Sequence, residues 1–505
     1  MDTSPPAVSP QRSSTFLHTA LETLPPAYRP LLSDSFVYGV ASAFSRFFSI
    51  LVTPIVTRAL SPTEYGVIDT ITVTTALLPT VMSLNLESAL LRYFYDTEPG
   101  PEQRQLISTL FAVVGFLTLL VGGICLAGTH LLGRALFQHS AFNFAISLSI
   151  CATGLQLVSS IFIWILRLQR RMRDFLVCNL CSVIPNIALI FLLIFVFRLG
   201  VMGFFFASLF SNLIQCALAF RLVRHELASH FSRHLLQRCL RFSLPLVPTV
   251  FFSNLLPFLG RSLLLAFATL TEVGLFGVAT KISALSLIAL GPFQMAWQPF
   301  SMSVMRRPDA QTIYVNVTRY AVLILSLMMN VVIFFAPEMT AFIAGSSYAN
   351  AAPILRFLVP GFVIGQLVLF FHIAITISEK PVFLFYSNVI SVTVYLLAGA
   401  TLTRELSVIG TAIAFVCANA ALSGSTYVFA QRTNHIAFPV FRIGFVILMG
   451  LSWAVILSIA TFGWFMRLSA LLMTSAITVV IMSAGRGSLP RPFGRLNTFK
   501  LRRRK

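Results

Sequence analysis

The sequence predicts an all-α polytopic membrane protein with about 14 transmembrane helices, two six-helix lobes related by a parallel internal repeat plus two extra C-terminal helices. Three observations carry this fold class. The 505 residues are 57% hydrophobic and 10% charged, whereas a soluble domain carries roughly 25% charged residues. Lys and Arg collect in alternate connections between apolar stretches, as the positive-inside rule requires. Short motifs also recur at a nearly constant separation along the chain.

Apolar stretches of about 20 residues can cross the hydrocarbon core. They lie near 36–60, 67–91, 106–129, 143–166, 174–197, 201–220, 243–269, 273–300, 317–336, 353–378, 382–403, 407–430, 441–464 and 468–485. Residues 1–32 hold several prolines and hydroxyl residues and lack the charged start and apolar stretch of a signal peptide, so they read as a cytoplasmic leader. Residues 33–225 form an N-lobe of helices 1–6, and 226–242 a basic cytoplasmic linker. Residues 243–435 form a C-lobe of helices 7–12, 436–485 hold helices 13 and 14, and 486–505 are a basic cytoplasmic tail.

With the N-terminus inside, 27 of the 36 Lys and Arg fall in inner segments and 6 in outer loops. That bias predicts cytoplasmic N- and C-termini. The net charge of +20 is then topological. The tail "GRGSLPRPFGRLNTFKLRRRK" suits anionic lipid headgroups; no nucleic-acid module accompanies it, so no nucleic-acid partner is expected.

The repeat shows in three places. "TEYG" at 63–66 returns as "TEVG" at 271–274, "LGVMG" at 199–203 as "LSVIG" at 406–410, and Asn212 as Asn419. The separations are 208, 207 and 207 residues. Six helices lie between copies, an even number, so both halves enter the membrane in the same sense. Such parallel repeats place a substrate site between two bundles near the midplane.

Three cations remain inside spans: Arg46, Arg261 and Lys281. Charged groups there are expensive and mark functional sites. Arg261 and Lys281 lie at similar depth on consecutive helices, roughly 12 Å below the outer surface at 1.5 Å per residue. Neither of their spans holds a carboxylate, and Glu272 sits at the outer loop. The expectation is a water-filled cavity that receives an anion. Arg46 either faces that cavity or pairs with Glu87 in the second span. His372, in the tenth span, is either a proton-relay group or a hydrogen-bonded packing histidine.

Other chemistry finds little support. Cys178 and Cys181 form a C-x-x-C on a membrane helix and read as packing residues. His230 and His234 sit among arginines and read as part of a basic surface helix, so no metal site is expected. Paired carboxylates, a nucleophile with its base, and a metal cluster are all missing, which argues against a membrane enzyme.

The stretch "YGVASAFSRFFSILVTPIVTRALSPTEYGVID" resembles the first span and loop of polysaccharide flippases of the Wzx type, in the MOP (multidrug/oligosaccharidyl-lipid/polysaccharide) superfamily. "LNLESALLRYFYD" is similar to that family's second-span ending. "LRFSLPLVPTVFF", "TEVGLFGVATKISAL" and "FQMAWQPF" resemble its seventh and eighth spans, and "FFAPEM" and "YANAAPILRFL" the loop after the ninth. The resemblance covers residues 33–435. It implies alternating access between two six-helix lobes in a bacterial inner membrane. The implied substrate is an oligosaccharide on undecaprenyl pyrophosphate, moved from the cytoplasmic to the outer leaflet, with other polysaccharide assembly proteins as partners. It also implies that Arg46, Arg261 and Lys281 meet the substrate's anionic groups. Relatives often carry Asp directly before the seventh-span arginine, where this chain has Gly260. No cofactor is expected. Coupling to H+ or Na+ is open, with Glu87 and His372 as the candidate groups. The alternatives on the same fold are a peptidoglycan-precursor flippase and a multidrug exporter, the latter disfavoured because organic cations need carboxylates in the cavity.

Overall fold

The computed structural model describes residues 52–483 apart from 98–99, 139, 228–230, 288–289, 306, 379 and 461. Arg46, His230, the leader at 1–32 and the tail at 486–505 lie outside the described residues, and the first expected span contributes only a helix at 52–59. Among the described residues all regular structure is helical, and 11 helices are long and apolar enough to cross a membrane. One of these, Val382–Thr433, runs for 52 residues and holds two spans. Ser407, at φ 50° and ψ −129°, breaks it. Phe383 stacks on Phe429, the Ser391 hydroxyl donates to the Ala418 carbonyl, and Thr403 bonds Thr411. Those pairs are the rungs of an antiparallel hairpin, so the expected spans 382–403 and 407–430 stand as two helices. Residues 270–304 form Leu270–Leu285 and Leu290–Val304. The chain is thus a multi-pass helical membrane protein with the span order expected for about 14 crossings.

The chain divides into two compact units. The first is built mainly from residues 71–251. Its core gathers Met82, Leu86 and Leu90 with Leu106, Leu110, Phe162, Ile165 and Val223. Cys178 and Cys239 pack in the same core, and all seven cysteines are free thiols. The helix Met172–Ile190 contains Pro185 and ends in a π-helical turn, Phe191–Val196, consistent with the backbone irregularity that an internal proline imposes.

The second unit holds residues 61–70, 252–287 and 304–483. At its centre Ala351–Gln366 is buried over most of its surface and packs on the 382–433 hairpin and on Leu270–Leu285. The helices Val440–Ile459 and Trp464–Ser483 pack on Ala310–Phe334. They are pinned by polar contacts: Arg319 Nε donates to the Met482 carbonyl at 3.1 Å, Arg356 to the Leu457 carbonyl, and Arg467 pairs with Glu338 at 2.8 Å.

The internal repeat has a physical counterpart inside the second unit. The helices Pro62–Thr75 and Leu270–Leu285 begin with the same reciprocal cap. Glu64 accepts from the Ser61 amide at 2.9 Å, and Glu272 from the Thr269 amide at 3.0 Å. Each satisfies backbone groups that a helix start leaves unpaired. The two motif threonines, Thr63 and Thr271, hydrogen-bond each other at 2.8 Å across 208 residues. The two motif glycines face one another: a Cβ on Gly66 would strike the Leu270 carbonyl, and one on Gly274 would strike the Pro62 carbonyl. Leu270 is the repeat equivalent of Pro62, so this contact is locally two-fold symmetric. The second motif repeats too. Gly200 has φ 56° and its counterpart Ser407 has φ 50°, the left-handed region that glycine enters without strain.

Candidate functional site

The helix cap and the Gly66–Gly274 contact hold Pro62–Thr75 close against Leu270–Leu285, and the in-span charges cluster beside this crossing. Asp69 lies two turns into the first of these helices, and its carboxylate meets the backbone of Gly277, where a Cβ would approach within 2.6 Å. Arg261 comes from Val247–Phe267. Its Nε donates to Asp69 Oδ2 at 2.8 Å, and both side chains are 6% exposed. The guanidinium also faces the Phe276 ring, with Cζ 5.0 Å from its centroid, and donates weakly to the Pro257 carbonyl at 3.5 Å. A buried ion pair of this kind holds elements in register, and loss of one partner strands a charge.

This corrects the expectation that no carboxylate can neutralise Arg261. The partner lies 192 residues away in sequence, on a different helix, so no reading of the spans that carry Arg261 and Lys281 could find it. Two signals pointed to it: a carboxylate inside a span is a functional candidate by default, and its repeat equivalent, Gly277, leaves room for it. Gly260 also has a structural reason. A Cβ there would come within 2.6 Å of the buried Tyr395 hydroxyl, so the carboxylate beside Arg261 comes from Asp69 rather than from position 260.

Lys281 behaves differently. Its side chain is exposed, while the neighbouring Val278, Ala279, Ile282 and Ser283 are buried. Its Nζ sits 5.1 Å from the centroid of the Tyr65 ring, a cation–π distance. Tyr65 is buried and packs edge-on against the equally buried Tyr348, with centroids 6.0 Å apart. Tyr65, Asp69 and Arg261 all act on Lys281 electrostatically, but among the described residues no carboxylate forms an ion pair with it. The two cations therefore divide: Arg261 is ion-paired and enclosed, and Lys281 rests on the Tyr65 ring without a carboxylate ion pair among the described residues.

The other expected residues do not join this cluster. Glu87 accepts from Ser160 Oγ at 3.0 Å and Trp164 Nε1 at 3.1 Å within the first unit; Arg46, for which a pair with Glu87 is one of two alternatives, lies outside the described residues. His372 is half-buried and bonds Thr376 Oγ1, one turn on, at 3.0 Å. Among the described residues no group of three or more His, Cys, Asp or Glu is arranged to hold a metal ion.

Comparison with known proteins fits this architecture. The family described as polysaccharide biosynthesis protein matches residues 31–305. No curated protein matches the sequence. Among solved structures, the lipid II flippase MurJ in an inward closed conformation aligns with a TM-score of 0.65 at 13% identity, covering 88% of this chain and 98% of that one. An inward-facing multidrug resistance MATE family transporter of the MOP superfamily aligns with a TM-score of 0.61 at 16% identity, over 80% and 95%. The Vibrio cholerae MATE transporter VcmN, in its bent form, aligns with a TM-score of 0.53 at 15% identity, over 78% and 98%. At these identities the likeness is one of fold.

Proposed function

The chain belongs to the polysaccharide biosynthesis protein family, and from that premise we propose that it is a flippase for a polyprenyl-pyrophosphate-linked oligosaccharide. It moves an undecaprenyl-pyrophosphate glycan from the cytoplasmic to the outer leaflet of a bacterial inner membrane, by alternating access and without a catalytic step. The observation that supports this reading is the Lys281 ammonium inside a span, held against the Tyr65 ring with no carboxylate ion pair among the described residues, beside a guanidinium already neutralised by Asp69. A pyrophosphate cannot enter hydrocarbon unaided, because an isolated buried charge is prohibitively expensive. A fixed cation in a wet cavity lowers that cost, while the polyprenyl tail stays in lipid.

In this mechanism Lys281 is the first anion contact. Arg261 is a positioning residue that ties Val247–Phe267 to Pro62–Thr75 through Asp69. Arg46 is assigned to the same anion path. The multidrug reading has less support: of the in-span carboxylates an organic cation would need, Asp69 is bound to Arg261, and Glu87 alone, held by Ser160 and Trp164, has no cationic partner among the described residues.

The test is complementation of a strain lacking the protein, comparing wild type, Lys281→Gln and Lys281→Arg at matched membrane levels. Lipid-linked oligosaccharide on the inner leaflet is the readout. Wild type clears it, Lys281→Gln slows clearance at least tenfold, and Lys281→Arg restores most of it. Clearance by Lys281→Gln at the wild-type rate removes the ammonium from the mechanism. Accumulation of the peptidoglycan precursor instead reassigns the substrate.

A further inference from the structure

A second cationic site lies away from Lys281, in the first unit. The helix Arg233–Ser243 connects to the span Val247–Phe267 through a single 3-10 turn, Leu244–Leu246. Its two faces differ sharply. Cys239 and Ser243 are buried, and Leu235 and Leu240 pack on the core of the first unit. On the other side His234, Gln237, Arg238 and Arg241 recur at helical spacing and are all exposed. They line an open cavity of 630 Å³ together with Tyr93 and Phe242. The start of the helix is anchored: the Ser232 hydroxyl caps the Leu235 amide at 3.3 Å, and the Ser232 amide donates to Thr109 at 3.1 Å.

The wall is built rather than a loose fringe of charge. Arg238 lies over the Tyr93 ring, 4.4 Å from its centroid, and Tyr93 meets Phe242 edge-on at 5.9 Å. Asp96 approaches Arg238 only at 3.9 Å, leaving most of its donors open. Arg241 makes no ion pair among the described residues. Two guanidiniums and an imidazole lie one turn apart on the same helix face and line the same cavity, and Arg forks bind phosphate with geometric specificity.

We infer that this cavity binds the phosphate of a lipid headgroup at the membrane boundary. Lipid, rather than a soluble anion, is indicated by what surrounds the basic wall. Phe242 and Leu244 are exposed large apolar side chains at its edge, and the chain enters its membrane span immediately afterwards. Basic side chains over an interfacial apolar rim form the pattern of peripheral lipid contacts. The site is independent of which glycan crosses the membrane.

The test uses the full chain in micelles, with retained lipid counted by native mass spectrometry. Phosphatidylglycerol and phosphatidylcholine are the probes. Wild type retains phosphatidylglycerol in preference. Arg238→Gln/Arg241→Gln lowers that retention about thirtyfold, the order expected for loss of two cations at about 1 kcal/mol each near an anionic headgroup. The control Arg224→Gln/Arg233→Gln removes the same charge from exposed positions outside the cavity and changes retention less than twofold. Equal losses in the two double variants mean diffuse surface charge and overturn the site, as does an unchanged Arg238→Gln/Arg241→Gln. Competition with undecaprenyl pyrophosphate then separates the sources of the phosphate. Displacement at substoichiometric amounts assigns the cavity to a lipid-linked precursor, and displacement only in excess assigns it to bulk anionic lipid. Equal unfolding temperatures of all variants exclude a folding effect.

Discussion

The segments 61–75 and 269–285 are two copies of one structural idea with different chemistry laid on them. Both open with the same cap, both offer a glycine to the other's first turn, and their threonines meet. Yet the repeat equivalent of Asp69 is Gly277, that of Lys281 is Val73, and that of Arg261 is Thr53. What is duplicated is the crossing of two backbones. What is unique to each copy is charge. The difference teaches that symmetry sets the packing here, and that the buried charge cluster depends on breaking it.

The most damaging way to test that division is to leave Arg261 without its partner. Asp69→Asn strands a buried guanidinium and is expected to cost about 3–5 kcal/mol of stability. Arg261→Gln in the same chain recovers much of that. Thermal unfolding in detergent reads both, and a loss below about 1 kcal/mol for Asp69→Asn, the range of exposed pairs, means that the pair is solvated. Next in size are Gly66→Ala and Gly274→Ala. Each places a methyl against a backbone carbonyl, and overpacking of this kind costs about 1–3 kcal/mol. The two losses should match. A tolerated change at one glycine alone breaks the symmetry argument.

Ser407 gives a smaller, sharper comparison with Gly200. Its hydroxyl donates to Glu272, so Ser407→Ala loses a hydrogen bond worth about 1 kcal/mol. Ser407→Gly loses the same bond and adds about 0.5–1 kcal/mol of glycine chain entropy, but relieves a positive-φ strain of about 1–3 kcal/mol, and is expected to sit near wild type in the same unfolding assay. The smallest effect on stability belongs to Lys281→Gln. The loss is that of one cation–π contact, about 0.5–1 kcal/mol, so its unfolding temperature should stay close to wild type while precursor clearance slows at least tenfold. A matching fall in both makes Lys281 a packing residue.

Much of the fold was legible because hydropathy is local. The expected span 143–166 is the helix Asn143–Leu168, and 201–220 is Gly200–Val223. The hairpin at Ser407 was legible for another reason, since a charged connection, "TREL", separates two apolar runs. The site was only half legible. A lysine or arginine inside a span announces itself, but the sequence treats Arg261 and Lys281 alike, and their environments are opposite. That distinction rests on Asp69, brought in across 192 residues, and on Tyr65, whose ring lies beneath Lys281 only because Gly66 and Gly274 let the two helices approach. Glu87 shows the same limit. Its hydrogen-bond donors, Ser160 and Trp164, are neutral residues one turn apart on a third helix, and charge pairing alone does not point to them.

The contact between Gly66 and Gly274 constrains how such a chain can change by descent. A surface that meets its own copy must be compatible with itself before duplication and with its twin afterwards. A larger residue at either position strikes the backbone of the other copy's first turn, and no side-chain change opposite can make room for it. The two positions therefore cannot compensate one another. Divergence is channelled elsewhere along the same helices, one turn or more away, to places such as 69 and 277 where a side chain in one copy can occupy the space that the other leaves empty.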